Sequence, residues 1–451
     1  MMLIKNGMVV DPKNKIEQPS DILVKDGMIL SIAKEITEND LKMYNGGSAA
    51  DCEVIDASGC VVAPGLVDVH VHFRDPGFTH KEDIETGARA ALKGGFTSVV
   101  LMANTKPAVD NIDTLTYVIE KGKKTDLRIY TCATVTKGMA GKELTDMEMM
   151  LAKGAVGFTD DGIPIMDTEL IERAMMSAAL LKVPISLHEE DPALIANNGV
   201  NRGKASKYYG IGGSPREAEI SLIERDLETA LRTGAILNIQ HISTKEGVEL
   251  VRQAKKKAAV QGNGSEYAIG MNNIHAEATP HHFSLTQEAV IEYGTLAKMN
   301  PPLREETDRL AIIEGLRDGT IDIIATDHAP HSKEEKARPI TDAPSGIIGL
   351  ETALALGITN LVDQGHLTIM QLIERMATGP AQMYGLSAGT LTQGSPADIV
   401  IFDANASQVM KDFVSRSSNS PFAGKRLKGV VKYTIVDGKI AYQADSLVDT
   451  Q

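Results

Sequence analysis

Eight short apolar runs, rich in β-branched residues, recur through the middle of this chain with helical segments between them. The runs are residues 65–73, 96–103, 127–135, 155–161, 183–188, 236–241, 277–282 and 322–328. Between them, stretches such as 84–93 and 170–181 carry apolar side chains at helical spacing. Eight strands that alternate with helices predict an α/β fold, a parallel (β/α)₈ barrel of the TIM type, which needs about 250 residues or more.

The two ends of the chain read as β structure and differ from the middle. Asn6-Gly7 and Asp26-Gly27 each separate short apolar runs near the N-terminus, and Asp437-Gly438 follows a similar run near the C-terminus. Such dipeptides between apolar runs predict β-hairpins. We therefore expect a small β-sandwich module that both termini build together, since chain termini often lie close to each other.

The chain length supports this division. At 451 residues it exceeds one ordinary domain and fits a large barrel plus a smaller module. We expect the β module to comprise residues 1–60 and 389–451, and the barrel residues 61–388. Residues 255–273 are rich in Gly and Asn towards their end and are longer than a normal loop, which predicts a surface insertion.

Histidines and aspartates gather at the carboxyl ends of the predicted strands, where the active sites of such barrels lie. Only 11 histidines occur in the chain, and four of them stand at these ends. The first strand carries a His-x-His pair, and residues i and i+2 of a strand point to the same face. Imidazole and carboxylate groups suit zinc and neighbouring divalent metals. The candidate ligands are His70, His72, Asp161, His188, His241 and Asp327.

This number of ligands is too large for one tetrahedral ion. It suits two divalent ions, most simply two Zn²⁺ per chain, with a bridging hydroxide. We expect His70 and His72 to hold the first ion, and His188 and His241 to hold the second. Asp161 at the end of the fourth strand is the candidate bridge between them.

Asp327 faces the first ion from the eighth strand and is the candidate catalytic residue. A bound ion lowers the pKa of water from 15.7 to about 7, which provides a nucleophile at neutral pH. A carboxylate at this place can take the proton from the attacking hydroxide and pass it on as a general acid/base. Read alone, the Asp-Asp-Gly stretch at 160–162 would also suit a plain turn, but its place at the end of a strand favours the ligand interpretation.

These residues resemble the amidohydrolase superfamily, which carries His-x-His on strand one and an Asp on strand eight. Five segments in family order resemble the bacterial class I dihydroorotases within it: 70–77 (HVHFRDPG), 102–107 (MANTKP), 158–162 (FTDDG), 298–304 (KMNPPLR) and 325–331 (ATDHAPH). The resemblance covers nearly the whole chain. It implies the reversible cyclisation of N-carbamoyl-L-aspartate to (S)-dihydroorotate plus water, in pyrimidine biosynthesis.

The resemblance also implies a bridging group and a substrate site. Many relatives bridge their metals with a carboxylated lysine, but the matching position here is Asp161, and Lys137 and Lys153 are poor candidates for that role. Ser345 stands where some relatives carry an aromatic or other apolar residue, and its backbone could serve instead. The implied substrate-binding residues are His72, Arg74, Asn104, Asn300, His331, Ser345 and Gly346.

The substrate and its cyclic product both carry a carboxylate, which Arg74 can grip through two parallel hydrogen bonds. This favours a dihydroorotase over an allantoinase or a hydantoinase, the sibling enzymes that take uncharged rings. A non-catalytic scaffold for aspartate transcarbamoylase is the other alternative, but every expected ligand is present. We expect His281 and His282 to be structural groups or to support the metal ligands through hydrogen bonds.

Charge and cysteine content limit the binding partners and the cellular compartment that we expect for this chain. The formal charge of −14 argues against a nucleic acid or a membrane surface as partner, because both prefer a basic patch. The three cysteines form no CxxC pair, and no signal peptide or long apolar run is evident, so we expect a cytoplasmic protein. The sequence leaves open a homo-oligomer and an association with aspartate transcarbamoylase.

Overall fold

The computed structural model describes residues 1–44, 52–261 and 273–444. Its strands are β1 (Met2–Asp11), β2 (Ile16–Lys25), β3 (Met28–Ala33), β4 (Glu53–Asp56), β5 (Val61–Pro64), β6 (Leu66–Val71), β7 (Phe96–Leu101), β8 (Arg128–Thr131), β9 (Pro184–Leu187), β10 (Ile236–Ile239), β11 (Ile274–Ala278), β12 (Ile323–Ile324), β13 (Ile399–Val409), β14 (Arg426–Val436) and β15 (Lys439–Gln443). Its α-helices are α1 (Glu38–Tyr44), α2 (Ile84–Lys93), α3 (Ile112–Gly122), α4 (Met147–Ala152), α5 (Thr168–Leu181), α6 (Lys204–Tyr209), α7 (Arg216–Thr233), α8 (Lys245–Gln261), α9 (Pro280–Ser284), α10 (Glu288–Tyr293), α11 (Glu306–Asp318), α12 (Lys333–Lys336), α13 (Ala353–Gly357), α14 (Ile369–Ile373) and α15 (Gly379–Met383). Within these ranges no helix is long and apolar enough to cross a membrane.

The middle of the chain forms two parallel sheets. β6, β7 and β8 pair in chain order, and so do β9, β10, β11 and β12. Isolated parallel bridges join the two sheets, because Phe158 pairs with both Ala133 and Ile185, and Val71 pairs with His328. Every predicted run therefore pairs with its neighbours, and the eighth pairs with the first. The fourth run, 155–161, contributes bridges at Phe158 and not the regular strand that its apolar pattern predicted.

Two other predictions for the middle of the chain were wrong in part. Residues 277–282 do not form one strand, because β11 ends at Ala278 and the histidine pair lies on α9. The side chain of Thr279 accepts a hydrogen bond from His282 N, and Pro280 is the first helical residue, so a capped helix starts there. The start of the predicted insertion, 255–261, continues α8, and the part from 262 to 272 lies outside the described residues.

Strands from both ends of the chain share one eight-stranded sheet. Its order is β15-β14-β13-β5-β1-β2-β3, and β4 pairs with β1. The predicted hairpins at Asp26-Gly27 and Asp437-Gly438 are confirmed, since both residues of each turn have positive φ and the flanking strands pair.

The third predicted hairpin, at Asn6-Gly7, was wrong. β1 runs through these residues, and its register with β2 shifts between Ile4 and Gly7. Asn6 N donates to Asp21 Oδ1 at 3.0 Å, which holds the irregular backbone against the neighbouring strand. A Cβ at Gly7 would lie 2.4 Å from the Val62 side chain, so the glycine here permits close packing. The dipeptide marks a bulge, and not a reversal of the chain.

Candidate metal centre

The structure brings the six predicted metal ligands together at the carboxyl ends of the parallel strands. His72 Nε2 lies 3.0 Å from Asp327 Oδ1, and His70 Nε2 lies 3.6 Å from the same oxygen. Asp161 faces the same two imidazoles, with Oδ1 3.3 Å from His70 Nε2 and Oδ2 3.4 Å from His72 Nε2. All of these side chains are buried, so two carboxylates and two imidazoles converge in the interior.

The other two histidines complete the cluster beside Asp161. His188 Nδ1 lies 3.0 Å from His241 Nε2. Both nitrogens lie 3.9 Å from Asp161 Oδ1. Asp161 therefore lies within 4 Å of all four histidines, and the sequence analysis assigned the bridging role to this carboxylate.

A buried carboxylate that the sequence analysis did not single out orients His70. Glu277 Oε2, in β11, lies 2.9 Å from His70 Nδ1, and Asn238 Nδ2 donates to Glu277 Oε1 at 2.5 Å. Asn238 Nδ2 also lies 3.1 Å from Ser186 Oγ. Such acceptors fix the tautomer and the orientation of metal-binding imidazoles. The sequence shows an acidic residue in this strand but does not show that it faces His70.

Two more imidazoles have partners on the nitrogen that faces away from the cluster. His72 Nδ1 lies 2.9 Å from Asn104 Oδ1, and the amide of Asn104 donates to Asp161 Oδ2 at 3.0 Å. His188 Nε2 lies 3.2 Å from Glu190 Oε2. Asn104, which the resemblance assigned to substrate binding, thus also supports two of the metal-type ligands. Glu190 was missed because an acidic residue three positions after a strand end carries no distinctive pattern.

The backbone at the strand ends is held in uncommon conformations. His241 and Asp327 have φ of 31° and 47°, the left-handed region that non-glycine residues rarely adopt and that is concentrated at functional sites. Asp68 Oδ1 accepts hydrogen bonds from His70 N and Thr326 N, each at 3.1 Å. This buried carboxylate therefore ties the first strand to the eighth and fixes the separation of the His-x-His pair and Asp327.

Burial and neighbouring charges set the protonation states of Asp161 and His241. Burial alone would raise the pKa of Asp161, but the charges of His70 and His72 outweigh it and hold that pKa well below its usual value. Burial lowers the pKa of His241 well below its usual value, and His188 adds to this effect. Asp161 is therefore a carboxylate and His241 a neutral imidazole, which are the forms that bind metals.

The donor set fits divalent metal ions. Burial opposes protonation of His70, but Asp161 and Glu277 outweigh it and raise the pKa of His70 well above its usual value. His70 Nε2 is buried and has no hydrogen-bond partner of suitable geometry among the described residues. A cation at this point would satisfy both the nitrogen and the surrounding carboxylates. Two groups of three residues place their donor atoms within 4.8 Å of one another: His70, His72 and Asp327, and His70, Asp161 and His241.

Neither lysine considered as a bridge reaches the cluster. Lys137 is exposed and pairs with Glu143 at 2.5 Å, and Lys153 is exposed at the end of α4. His282 has the structural role that we expected, since Nδ1 lies 2.8 Å from Thr279 Oγ1 and Nε2 lies 3.0 Å from Pro301 O.

The predicted substrate-binding residues Arg74, His331 and Ser345 lie together. The guanidinium Nη2 of Arg74 is 3.5 Å from His331 Nε2, and its Nε donates to Pro330 O at 3.4 Å. His331 Nε2 lies 2.8 Å from Ser345 O, so this nitrogen carries the proton and donates. Burial and the charge of Arg74 lower the pKa of His331 far below its usual value, and the ring is neutral.

The remaining predicted residues border the same region. Asn300 Nδ2 lies 3.4 Å from His188 Nε2. Gly346 has φ of 132°, and a Cβ there would lie 2.8 Å from Ala329 Cβ, so no other residue fits without displacing the loop. A cleft of about 580 Å³ lies beside the metal cluster and is lined by Asn104 and Asp161 among others.

Comparison with known proteins gives two family matches and close sequence relatives. A family described as Dihydro-orotase-like matches residues 59–247, and one described as Amidohydrolase family matches residues 299–442. A dihydroorotase of Clostridioides difficile is 53% identical over 444 residues, 98% of this chain and 100% of the relative. A dihydroorotase of Clostridium acetobutylicum is 49% identical over 445 residues, 98% of this chain and 100% of the relative.

Solved structures agree on the fold. L-hydantoinase (dihydropyrimidinase) from Arthrobacter aurescens superposes with a TM-score of 0.84 at 26% identity, covering 99% of this chain and 97% of that one. Dihydropyrimidinase from Brevibacillus agri has a TM-score of 0.81 at 21% identity, covering 99% and 96%. The fold and the buried cluster are those of the enzymes that hydrolyse cyclic amides. Within that class, the chain belongs to the dihydroorotase family.

Proposed function

We propose that this chain interconverts N-carbamoyl-L-aspartate and (S)-dihydroorotate plus water, as a step of pyrimidine biosynthesis. The observation that carries the proposal is the environment of Arg74. Burial lowers the pKa of its guanidinium, although the charges of Asp327 and Asp161 oppose this. Among the described residues, no carboxylate forms an ion pair with Arg74; its Nε donates to Pro330 O, and its Nη2 lies 3.5 Å from His331 Nε2, which is itself a donor. A half-buried guanidinium that pairs with no carboxylate of the protein can bind one from a ligand, and the substrate carboxylate would supply it.

We infer that two zinc ions occupy the cluster. His70, His72 and Asp327 would hold the first, and His188 and His241 the second, with Asp161 between them. When bound, such ions polarise a carbonyl oxygen and lower the pKa of water to about 7. Glu277, Asn104 and Glu190 contact the outward-facing ring nitrogens of His70, His72 and His188 and would keep these three imidazoles in their binding orientation.

Asp327 is the group that we assign to proton transfer. In ring opening, water adds to the ring carbonyl carbon and the C–N bond breaks. Asp327, whose Oδ1 lies 3.0 Å from His72 Nε2, takes a proton from the attacking water and returns it to the departing nitrogen. In ring closure the same carboxyl begins protonated, by microscopic reversibility. His331 is a poor substitute as an acid, because its neutral ring is not protonated near neutral pH.

The same reasoning extends to the architecture. We infer that the parallel strands close into a (β/α)₈ barrel, since the bridge between Val71 and His328 pairs the eighth strand with the first. The terminal sheet would belong to a β-sandwich module of residues 1–60 and 389–451, beside a barrel of residues 61–388. β5 (Val61–Pro64) lies on the barrel side of this division in sequence but pairs with β1 and β13 of the terminal sheet.

The free cysteines support a reducing compartment such as the cytoplasm. A homo-oligomer and an association with aspartate transcarbamoylase stay predictions.

A hydantoinase activity is the second candidate, because the solved structures with this fold include an L-hydantoinase. Purified protein should be assayed for ring opening of dihydroorotate, hydantoin and allantoin under the same conditions. We expect dihydroorotate to give by far the largest kcat/KM. A larger value for an uncharged ring would favour the hydantoinase and would leave the charge of Arg74 without its assigned partner.

A further inference from the structure

A segment of the terminal module, residues 415–420 between β13 and β14, reaches the loops that carry the site. Ser415 Oγ donates a hydrogen bond to the buried Glu82. Ser417 Oγ donates to Lys81 O at 2.7 Å. The segment is thus tied along its length to the chain that follows the first parallel strand, although more than 300 residues separate the two in sequence.

Asn419 in this segment joins two loops of the site. Its side chain is buried, and Oδ1 accepts a hydrogen bond from His331 N at 3.0 Å. Nδ2 donates to Ala329 O and to Gly346 O, each at 3.1 Å. The backbone of Asn419 continues the connection, because its carbonyl accepts from Ile348 N at 3.1 Å. Both donors of the amide and its acceptor are therefore engaged.

The loop of residues 340–346 is held from its other side by two buried lysines. Lys336 Nζ donates to Gly346 O and to Pro344 O, each at 3.0 Å. Lys298 Nζ donates to two further carbonyls of the loop, at 2.8 and 2.6 Å. Gly346 O is thus shared between Asn419 and Lys336, and it is the point where the two sets of contacts meet.

The two loops are also in van der Waals contact. A Cβ at Gly346 would lie 3.1 Å from His331 Cδ2 and 2.9 Å from Ala329 O. A shift of either loop therefore moves the other. Asn419 adds to the direct hydrogen bonds between the loops, from His331 Nε2 to Ser345 O and from Ala329 N to Ile347 O. Without its amide, Ala329 O would lose this donor and Gly346 O would keep only Lys336.

We propose that Asn419 is a positioning residue for substrate binding, acting through His331 and Gly346. It makes the terminal module part of the active-site framework. This inference rests on the proposed function, because it takes His331 and the 340–346 loop to border the substrate.

The test compares Asn419→Asp with Ser418→Ala, an exposed neighbour in the same segment. The Asp variant keeps the acceptor for His331 N but sets a carboxylate oxygen against the two carbonyls that the amide served. We expect KM for dihydroorotate to rise by roughly tenfold or more, with kcat changed by less than about threefold. Zinc content should be unchanged. Backbone amide exchange should accelerate in residues 328–332 and 344–348 of the ligand-free protein, and Ser418→Ala should match the parent in every measurement.

Lys336→Met approaches the same carbonyl from the other side and serves if Asn419→Asp does not fold, with the exposed Lys333→Met as its control. It should accelerate exchange in 344–348 and raise KM. An unchanged KM with unchanged local exchange would overturn the inference, and so would a lower melting temperature with KM unaffected. If the parent protein does not open dihydroorotate, the proposed function fails, while the exchange measurement still decides whether Asn419 couples the two loops.

Discussion

Replacing Glu277 with glutamine should weaken metal binding without unfolding the protein. Glu277 Oε2 is 2.9 Å from His70 Nδ1, and its Oε1 receives a hydrogen bond from Asn238 Nδ2. Both His70 and Glu277 are fully buried. A glutamine of the same shape offers only one acceptor, so its amide NH₂ must face either the His70 N–H or the Asn238 NH₂ group.

The size of the effect follows from these contacts. One buried, charge-assisted hydrogen bond is lost, which costs about 1.5–3 kcal/mol. That free energy corresponds to roughly 10- to 100-fold in affinity. The same range is typical for changes in the groups that support metal ligands. We therefore expect the zinc affinity of the His70 site to fall by roughly 10- to 100-fold.

The assay is competition between the protein and a chromophoric chelator, which reports the affinity for each ion without the need for activity. Glu224→Gln is the matched control, because it makes the same chemical change at an exposed position on α7. Melting of the metal-free proteins separates lost affinity from lost fold. A Glu277→Gln affinity within about threefold of the parent would refute the role of Glu277 in orienting His70.

Three further outcomes test other parts of the account. Asp327→Asn should lower the rate in both directions by at least about 10²-fold, and a variant with two metals and most of its activity would make Asp327 a ligand only. Because Asp161 is a carboxylate by sequence, zinc should reconstitute the metal-free protein equally well with and without bicarbonate, and strong bicarbonate dependence would contradict the bridge. Burial and the charge of Lys298 lower the pKa of Lys336 to about 7. Above that pH the unfolded chain binds more protons than the folded protein, so the free energy of unfolding should rise with pH. Relative to Lys336→Met, the rise should be up to about 1.4 kcal/mol per pH unit. Denaturant titrations of both proteins between about pH 7 and 9 would measure it.

The metal-type residues could be predicted from the sequence because their positions depend on a short-range rule. His70 and His72 alternate within one strand, and a strand end fixes where they point. The hairpin at Asp26-Gly27 was predictable for a similar reason, since two residues with positive φ suffice to reverse the chain. Asn6-Gly7 has the same local pattern but lies in a continuous strand, because Asp21 from the neighbouring strand holds the backbone of Asn6.

The supporting contacts could not be predicted, because they join residues that are distant in sequence. Glu277 meets His70 across 207 positions, and Asn419 meets His331 across 88. No periodicity records such a pairing. Thr279 ends the seventh run as a strand, because it caps a helix that begins at Pro280; the Thr-Pro pair was visible in the sequence, but the sequence analysis did not use it.

Arg74→Lys tests the central claim most directly, since that claim is that Arg74 pairs with the carboxylate of the substrate beside the metal cluster. Lysine keeps the charge but cannot make the two parallel hydrogen bonds of a guanidinium. The measurement is kcat/KM for dihydroorotate and for dihydrouracil, the same ring without its carboxylate, with zinc content determined on each sample. The account predicts a large loss for dihydroorotate, a much smaller one for dihydrouracil and unchanged zinc. Equal losses for both rings would contradict it and would show that Arg74 supports the metal site or the fold instead.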